Sequence, residues 1–364
     1  MRFPEFSGEW EEEQLDSIAT LSKGIGISKE QLSEDGEPCI LYGELYTKYK
    51  SEIIKQVESK TDIDCSKLKR SKANDVIIPC SGETAVDIAT ARCVPFDNIL
   101  LGGDLNIISL HKYDGAFMSY QLNGKRKYDI ARVAQGVSVV HLYGEHLKAI
   151  KTYNPSLPEQ QKIAKLLSLI DERIATQNKI IEKLESLIRG LCLKLVSQGI
   201  PNTTLNTCLE CHSSILQEKS VTTDGKYPVY GAAGICGYSD TPEASGDSIL
   251  IIKDGASVGA TFYVSGKYSA IGTLNRLTAR HGCSLRYLYY CLKIFDFSQY
   301  KTGQAIPHIY FRDYGIAKIW CPSLAQQEHI AGILTSIDTK IQMERSLLEH
   351  LTIQKRFLLQ NMFI

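Results

Sequence analysis

Two stretches of this chain place apolar residues at alternating steps of four and three. The first carries Ile163, Leu167, Ile170, Ile174, Ile181, Leu184, Ile188, Leu191 and Leu195, with Gln177 in the one polar slot. The second carries Ile330, Leu334, Ile337, Ile341, Leu348, Leu351, Leu358 and Met362; Glu344 stands where Gln177 stands, and Lys355 where Ile188 stands. A mean step of three and a half residues keeps one stripe turned to a partner helix, so both stretches read as coiled-coil helices. Polar slots in such a seam cost stability and fix register. Ser156-x-x-Glu159 and Ser323-x-x-Gln326 form capping boxes at the two starts, the hydroxyl accepting an early N–H and the third residue reaching back. Gly199-Ile200-Pro201 ends the first helix, glycine taking a left-handed cap and proline refusing to continue. Helices of roughly 40 residues are each about 60 Å long at 1.5 Å per residue.

The two stretches are copies. Pro155-Ser156-Leu157, Gln160, Ala164 and Asp171 recur 167 residues on as Pro322-Ser323-Leu324, Gln327, Ala331 and Asp338. A duplication of this size divides the chain into two halves, each ending in the same long helix. The segment before each helix is strand-rich. Asp75-Val76-Ile77-Ile78-Pro79 and Ser248-Ile249-Leu250-Ile251-Ile252 are short apolar runs followed by turns at Gly82 and Gly255, and read as equivalent strands. Leu105-Asn106 matches Leu274-Asn275, Gly136 matches Gly303, and His141 matches His308. The expected architecture is mixed α+β within the broad α/β class: two strand-rich domains joined by two long antiparallel coiled-coil helices, with a pseudo-twofold internal repeat. Its parts are residues 1–154, a helix over 155–199, residues 200–321, and a second helix over 322–364.

Composition narrows the function classes. With 43% hydrophobic residues in 364 the chain can fill two cores, and its formal net charge of zero points neither to nucleic acid nor to a membrane. No apolar run is long enough to span a bilayer, and Met1-Arg2-Phe3-Pro4-Glu5-Phe6 lacks a signal-peptide core, so a cytoplasmic location is expected. Eleven cysteines, among them Cys93, Cys192 and Cys291 in apolar surroundings, fit reduced thiols rather than a disulfide framework. Cys208-Leu209-Glu210-Cys211-His212 has the form of a haem attachment site or half a zinc site. Without an export signal or a second Cys-x-x-Cys pair it reads as coincidence, and neither metal nor cofactor is expected.

Further motifs carry a resemblance. Pro4-Glu5-Phe6-x-Gly8-x-Trp10 with Leu15-x-x-Ile18, then Tyr42-Gly43-Glu44-Leu45-Tyr46-Thr47, Tyr230-Gly231-Ala232-Ala233-Gly234 and above all the twice-occurring Pro-Ser-Leu-x-x-Gln-Gln resemble the specificity subunits of Type I restriction-modification systems. The likeness covers essentially the whole chain. It implies two target-recognition domains, each reading one half of a split site in double-stranded DNA, with the helices setting the unread gap. Two methylation subunits would dock on the helices, and restriction subunits would join through the complex. A non-catalytic coiled-coil scaffold is the alternative; it would keep the helices but would not need two divergent modules.

Residues that would touch DNA are sought among cations, polar side chains and glycine turns. In the first module these are Lys67, Lys69, Arg70 and Lys72, the turn at Ser81 and Gly82, and Lys125, Arg126 and Lys127. In the second they are Lys253 and Gly255 in a turn, Arg276 and Arg280, and Gln304, a residue able to pair bidentately with adenine. Solvated faces and ordinary hairpin turns explain the same residues without DNA. His141 and His308 have no evident nucleophile or metal partner and read as buried or capping side chains. Catalytic signatures are missing. There is no Gly-x-x-x-x-Gly-Lys-Ser/Thr loop, Lys23-Gly24-Ile25-Gly26 lacks the rest of a dinucleotide site, and Asn154-Pro155-Ser156-Leu157 opens a helix rather than forming a methyltransferase Asn-Pro-Pro motif. Glu58-Ser59-Lys60 has a nuclease-like acid-x-Lys spacing without a preceding metal-binding acid. Alone, the chain is expected neither to cut nor to methylate.

Overall fold

The computed structural model describes residues 2–136 and 138–363. Contacts divide the chain into two compact units, Met1–Asn178 with Ser346–Ile364 and Lys179–Arg345. In unit 1 an antiparallel sheet runs in the order Ala19–Lys23, Leu105–Leu110, Asp75–Pro79, Arg92–Val94. The apolar run Asp75–Pro79 is buried along its whole length. Val76 and Ile78 face Met118 and Leu122 of the helix Gly115–Asn123, while Ile77 faces Ile40, Leu45 and Leu101. A strand covered on both sides needs no polar alternation, which is why its sequence is continuous in apolar residues. The second cover is a small sheet, Lys60–Thr61, Glu37–Ile40, Leu100–Leu101, Lys69–Arg70, with its two middle strands parallel.

Unit 2 repeats this order strand for strand. Its main sheet is Leu209–Ser213, Leu274–Ala279, Ser248–Ile252, Thr261–Val264, and its small sheet Gly234–Ser239, Tyr227–Gly231, Lys267–Ala270, Ala244–Ser245, again with a parallel middle pair. Ile249 and Ile251 face Tyr287 and Leu288, whereas Leu250 and Ile252 face Val229 and Tyr268. Asp75–Pro79 and Ser248–Ile252 are therefore equivalent strands, as their patterns predict.

The long helices are Leu157–Val196 and Leu324–Asn361. In unit 1 the beginning of the first packs on the end of the second, through Ile163, Leu167 and Ile170 with Leu358 and Met362. In unit 2 the end of the first, at Ile188 and Cys192, packs with the beginning of the second, at Ile330, Leu334 and Ile341. The helices run antiparallel. Every predicted seam position is removed from solvent: Leu351 is buried with the residues just named, and Ile174, Leu184, Leu191 and Ile337 are half-buried. The apolar stripe is wider than a two-helix seam, because Phe117 and Tyr120 of the module helix join the same cluster in unit 1, and Tyr287, Leu288 and Cys291 do so in unit 2.

Polar joints repeat as faithfully as the core. The buried amides of Gln160 and Gln327 each accept from the N-cap N–H of a module helix, at Asp114 and Ser284, and each donate to the proline carbonyl five residues back, at Pro155 and Pro322. The Tyr120 hydroxyl donates to Asp171 at 2.7 Å, and the Tyr290 hydroxyl to Asp338 at 2.8 Å. The cation that balances each aspartate differs. In unit 1 it is Lys355, half-buried 2.6 Å from Asp171 and 2.5 Å from Glu52. In unit 2, where Ile188 stands at that seam position, it is Lys293 of the module helix, 3.2 Å from Asp338.

Two predicted helix-end devices take another form. Glu159 does not serve as a simple box residue: its buried carboxylate receives Arg2 through both oxygens, at 2.7 Å each, because a carboxylate out of water needs a charged partner. At the second start the Ser323 hydroxyl donates to the Gln326 side chain. Gly199 lies outside the left-handed region. It is glycine because a Cβ there would stand 2.1 Å from the Trp320 indole nitrogen. Gly199→Ala is expected to displace Trp320 and to cost unit 2 about 1–3 kcal/mol, as overpacking does elsewhere. In a Trp10→Phe background, Trp320 emission during urea unfolding reads this directly; an unchanged spectrum and midpoint would refute it.

Candidate nucleic-acid interface

In each unit the central strand runs out into a turn, and the turn meets a glycine-containing hairpin. In unit 1, Ser81–Gly82 pairs with Val140–His141, and the hairpin is closed by reciprocal N–H to O bonds between Gln135 and His141 at 2.9 and 2.6 Å. In unit 2, Asp254 bridges to His308, and Thr302 and His308 close the hairpin at 2.9 and 2.8 Å. Gly255, at φ +105°, donates its N–H to Pro307. The turns and the matched Gly136…His141 and Gly303…His308 segments, distant in sequence, thus form one edge per unit.

That edge carries polar and aromatic groups. The His141 ring stacks on Tyr143, centroids 6.2 Å apart, with Ser81 Oγ 3.4 Å from His141 Nδ1 and 3.3 Å from Asp104. Lys23 lies 3.4 Å from the same aspartate. In unit 2 the His308 ring meets Tyr310 edge-on at 5.1 Å, and the Arg312 guanidinium lies 4.9 Å from the Tyr310 ring centroid. Tyr143, Tyr310 and Arg312 are exposed, and Gln304 is exposed at the hairpin tip beside Gly303, which has φ +87°. His141 and His308 are half-exposed rather than buried. His308 does cap its own loop, with Nδ1 3.2 Å from the Ile306 carbonyl. Tyr143, Tyr310 and Arg312 are absent from the sequence-based candidates. The available signal is the repeated His-x-Tyr, His141-Leu142-Tyr143 and His308-Ile309-Tyr310.

The other candidates are scattered. Lys69 and Arg70 form the edge strand of the small sheet; Arg70 holds Glu37 through two nitrogens at 2.5 and 2.9 Å, so the pair lowers the Glu37 pKa and occupies the guanidinium. Lys67 and Lys72 are exposed nearby in sequence. Lys125 is exposed, but Arg126 lies over the Tyr153 ring at 5.1 Å and pairs with Asp129, and burial lowers the Lys127 pKa. This triplet follows Gly124, where a Cβ would stand 2.6 Å from the Leu359 carbonyl, so it sits against the second long helix and not at the His-x-Tyr edge. Lys253 pairs with Asp254 at the edge itself. Arg280 donates to the Leu209 carbonyl and serves the fold. Arg276 lines a cavity of about 160 Å³ with His212, Glu243 and Tyr268, where burial, then the guanidinium, lowers the His212 pKa. Glu12 and Glu13, by contrast, face Lys151, Tyr113, Tyr153 and Asn154 near the start of the first long helix, an acidic place unsuited to phosphate.

No catalytic constellation gathers at either edge among the described residues. Ser59 of the acid-x-Lys segment is tied to Glu44 and Lys48, so it serves the small sheet. Cys211 and His212 do not join Cys208 in a ligand set; His212 Nε2 is 3.0 Å from the Thr278 hydroxyl. Cys208 instead meets Cys283 and Cys321. All eleven cysteines are free thiols.

The chain is thus a duplicated mixed α+β module with a matched polar edge in each copy. The chain belongs to the family described as Type I restriction modification DNA specificity domain, which matches residues 7–186 and 210–352. It is 24% identical over 282 residues to a putative type I specificity subunit of Mycoplasma genitalium, covering 71% of this chain and 73% of that one. Over 113 residues it is 27% identical to the EcoprrI specificity subunit of Escherichia coli, a stretch covering 31% of this chain and 28% of that subunit. The crystal structure of the S subunit from M. genitalium superposes with a TM-score of 0.71 at 21% identity, covering 100% of this chain and 97% of the other, and so shares its fold. No helix among the described residues is long and apolar enough to cross a membrane.

Proposed function

We propose that this chain is the DNA-reading subunit of a Type I restriction-modification complex and performs no catalytic step itself. Residues 1–154 and 200–321 act as target-recognition domains, each reading one half of a split site in double-stranded DNA. The helical segments 155–199 and 322–364 serve as the spacer and as the docking surface for two methylation subunits, with restriction subunits joining through the complex. Its place of work is the cytoplasm, where the DNA is.

The observation that carries this reading is the repeat of one edge with different chemistry. Backbone and hairpin repeat in both units, while the matched side chains differ: Asp254 opposite His308 stands where Ser81 stands opposite His141, and Arg312 stands where Glu145 stands. Conserved geometry positions a module on phosphates, and divergent side chains at the same place read different base edges. A scaffold would need no such divergence. The zero net charge is consistent with partners supplying much of the phosphate neutralisation, so the isolated chain is expected to bind DNA weakly.

The test is co-expression with a methylation subunit from the same host and genome-wide mapping of methylated adenines by long-read sequencing. A two-part motif with a fixed unread gap supports the proposal. A stable complex that adds no methylation and binds no DNA would overturn it in favour of the scaffold.

A further inference from the structure

We infer that Cys208, Cys283 and Cys321 form a binding site for a thiophilic divalent cation of the zinc type, which staples the corner of unit 2 where the second long helix begins. The three Sγ atoms lie within 4.8 Å of one another, and those of Cys208 and Cys321 are 3.9 Å apart. Sulfurs each about 2.3 Å from a tetrahedral zinc stand roughly 3.8 Å from one another, so a small inward movement of Cys283 completes the trigonal face. The fourth position is left for water or an added donor. The ligands come from three separate segments: the end of the short helix Leu205–Cys208, the turn before the helix Leu285–Ile294, and the residue before Pro322. The Gln327 amide donates to Cys321 Sγ at 3.2 Å, the kind of outer hydrogen bond that holds a metal-bound sulfur in place.

Unit 1 shows what this corner requires. Its equivalent positions are Ile18, which ends the matching short helix, Tyr113, which precedes the N-cap Asp114, and Asn154, which precedes Pro155. There the corner is closed by a carboxylate: Glu13 accepts from the Tyr113 hydroxyl at 2.8 and 2.7 Å and from the Asn154 amide at 3.0 Å. At the position of Glu13, unit 2 has Thr203, too short to bridge, and it has thiols at all three surrounding positions. A cation bound by those thiols joins the same segments that Glu13 joins in unit 1. The Cys208-x-x-Cys211-His212 sequence contributes only its first residue, because Leu209–Ser213 is a strand and the pairing of its residues with Leu274–Ala279 directs Cys211 and His212 elsewhere.

The experiment is titration of the reduced, metal-stripped full chain with Co²⁺ alone, followed by competition with Zn²⁺, on the unaltered protein and on Cys283→Ser, Cys321→Ser and Cys211→Ser. One equivalent per chain with a thiolate-to-cobalt charge-transfer band, lost in the first two variants and kept in the third, supports the site. No saturable binding, loss of the band in Cys211→Ser, or a Cys208–Cys321 disulfide in the freshly isolated protein would overturn it. Should the two ligand variants fail to fold, the unaltered chain decides: Zn²⁺ at about a hundredfold its Kd is expected to raise the melting temperature read by Trp320 by about 5–10 °C, and no shift refutes the site.

Discussion

Lys355→Ala is expected to destabilise unit 1 by about 3–5 kcal/mol, because it leaves two buried carboxylates without their cation. Glu52 and Asp171 are 9% and 5% exposed, Lys355 is 14% exposed, and the Tyr120 hydroxyl and the Ser51 hydroxyl already spend their donors on Asp171. Burial raises the Glu52 pKa, and it is the Coulombic effect of Lys355 that opposes this. Removal of the ammonium therefore leaves Glu52 to protonate or to open the helix junction. The chain has two tryptophans, Trp10 packed on Phe117 and Phe363 in unit 1 and Trp320 in unit 2. In a Trp320→Phe background, urea unfolding followed by fluorescence reports unit 1 alone. The same background carrying Lys355→Met, Glu52→Gln and Asp171→Asn together should regain most of the loss, since a neutral set removes the stranded charge. A Lys355→Ala midpoint equal to that of the parent would show that the network contributes nothing to stability.

Gln304→Ala is expected to relax one half of the methylated motif and leave the other unchanged. A glutamine paired bidentately with adenine contributes about 1–3 kcal/mol of discrimination, so the base read by Gln304 should become degenerate in the methylation map. The choice of Gln304 rests on its exposed position in the hairpin of unit 2, next to Gly303 at φ +87°. Arg312→Ala, in contrast, should weaken binding evenly across sequences and lower the salt slope by about one, as loss of a phosphate contact does. Motif changes in both halves, or in neither, would count against the assignment of this edge as the reader.

Much of the architecture was legible in the amino-acid sequence because it rests on periodicity and repetition. The heptad stripe places Leu167, Leu334 and Leu358 in the core whatever surrounds them, and Val76–Ile78 and Ile249–Ile252 lie in central strands because a doubly covered strand tolerates consecutive aliphatic residues without polar alternation. The recurrence of Gln160 as Gln327 and of Asp171 as Asp338 marks the joints. What those residues touch was hidden, since their partners Asp114, Tyr120, Ser284 and Tyr290 lie about 40 to 50 residues away. The candidate edge left less trace in the sequence. Basic clusters draw the eye in a sequence, yet Arg70, Arg126 and Arg280 are engaged by Glu37, Tyr153 and Leu209, while aromatic Tyr143 and Tyr310 carry no charge to signal them.

The division between the two sources of order has a physical basis. Sequence alone determined the duplication, the two long helices with their antiparallel-compatible stripes, and the strand-rich modules between them, because local period and repetition need no knowledge of distant contacts. Only the tertiary structure decided which separated residues meet: the turn with the Gly–His hairpin in each unit, Lys355 with Glu52 and Asp171, and three thiols at one corner of unit 2. Those meetings depend on the sheet order, which a single strand's pattern does not encode. Two copies of one module solve the same corner with a carboxylate in one case and with cysteines in the other, and that difference becomes visible only when both folds are closed.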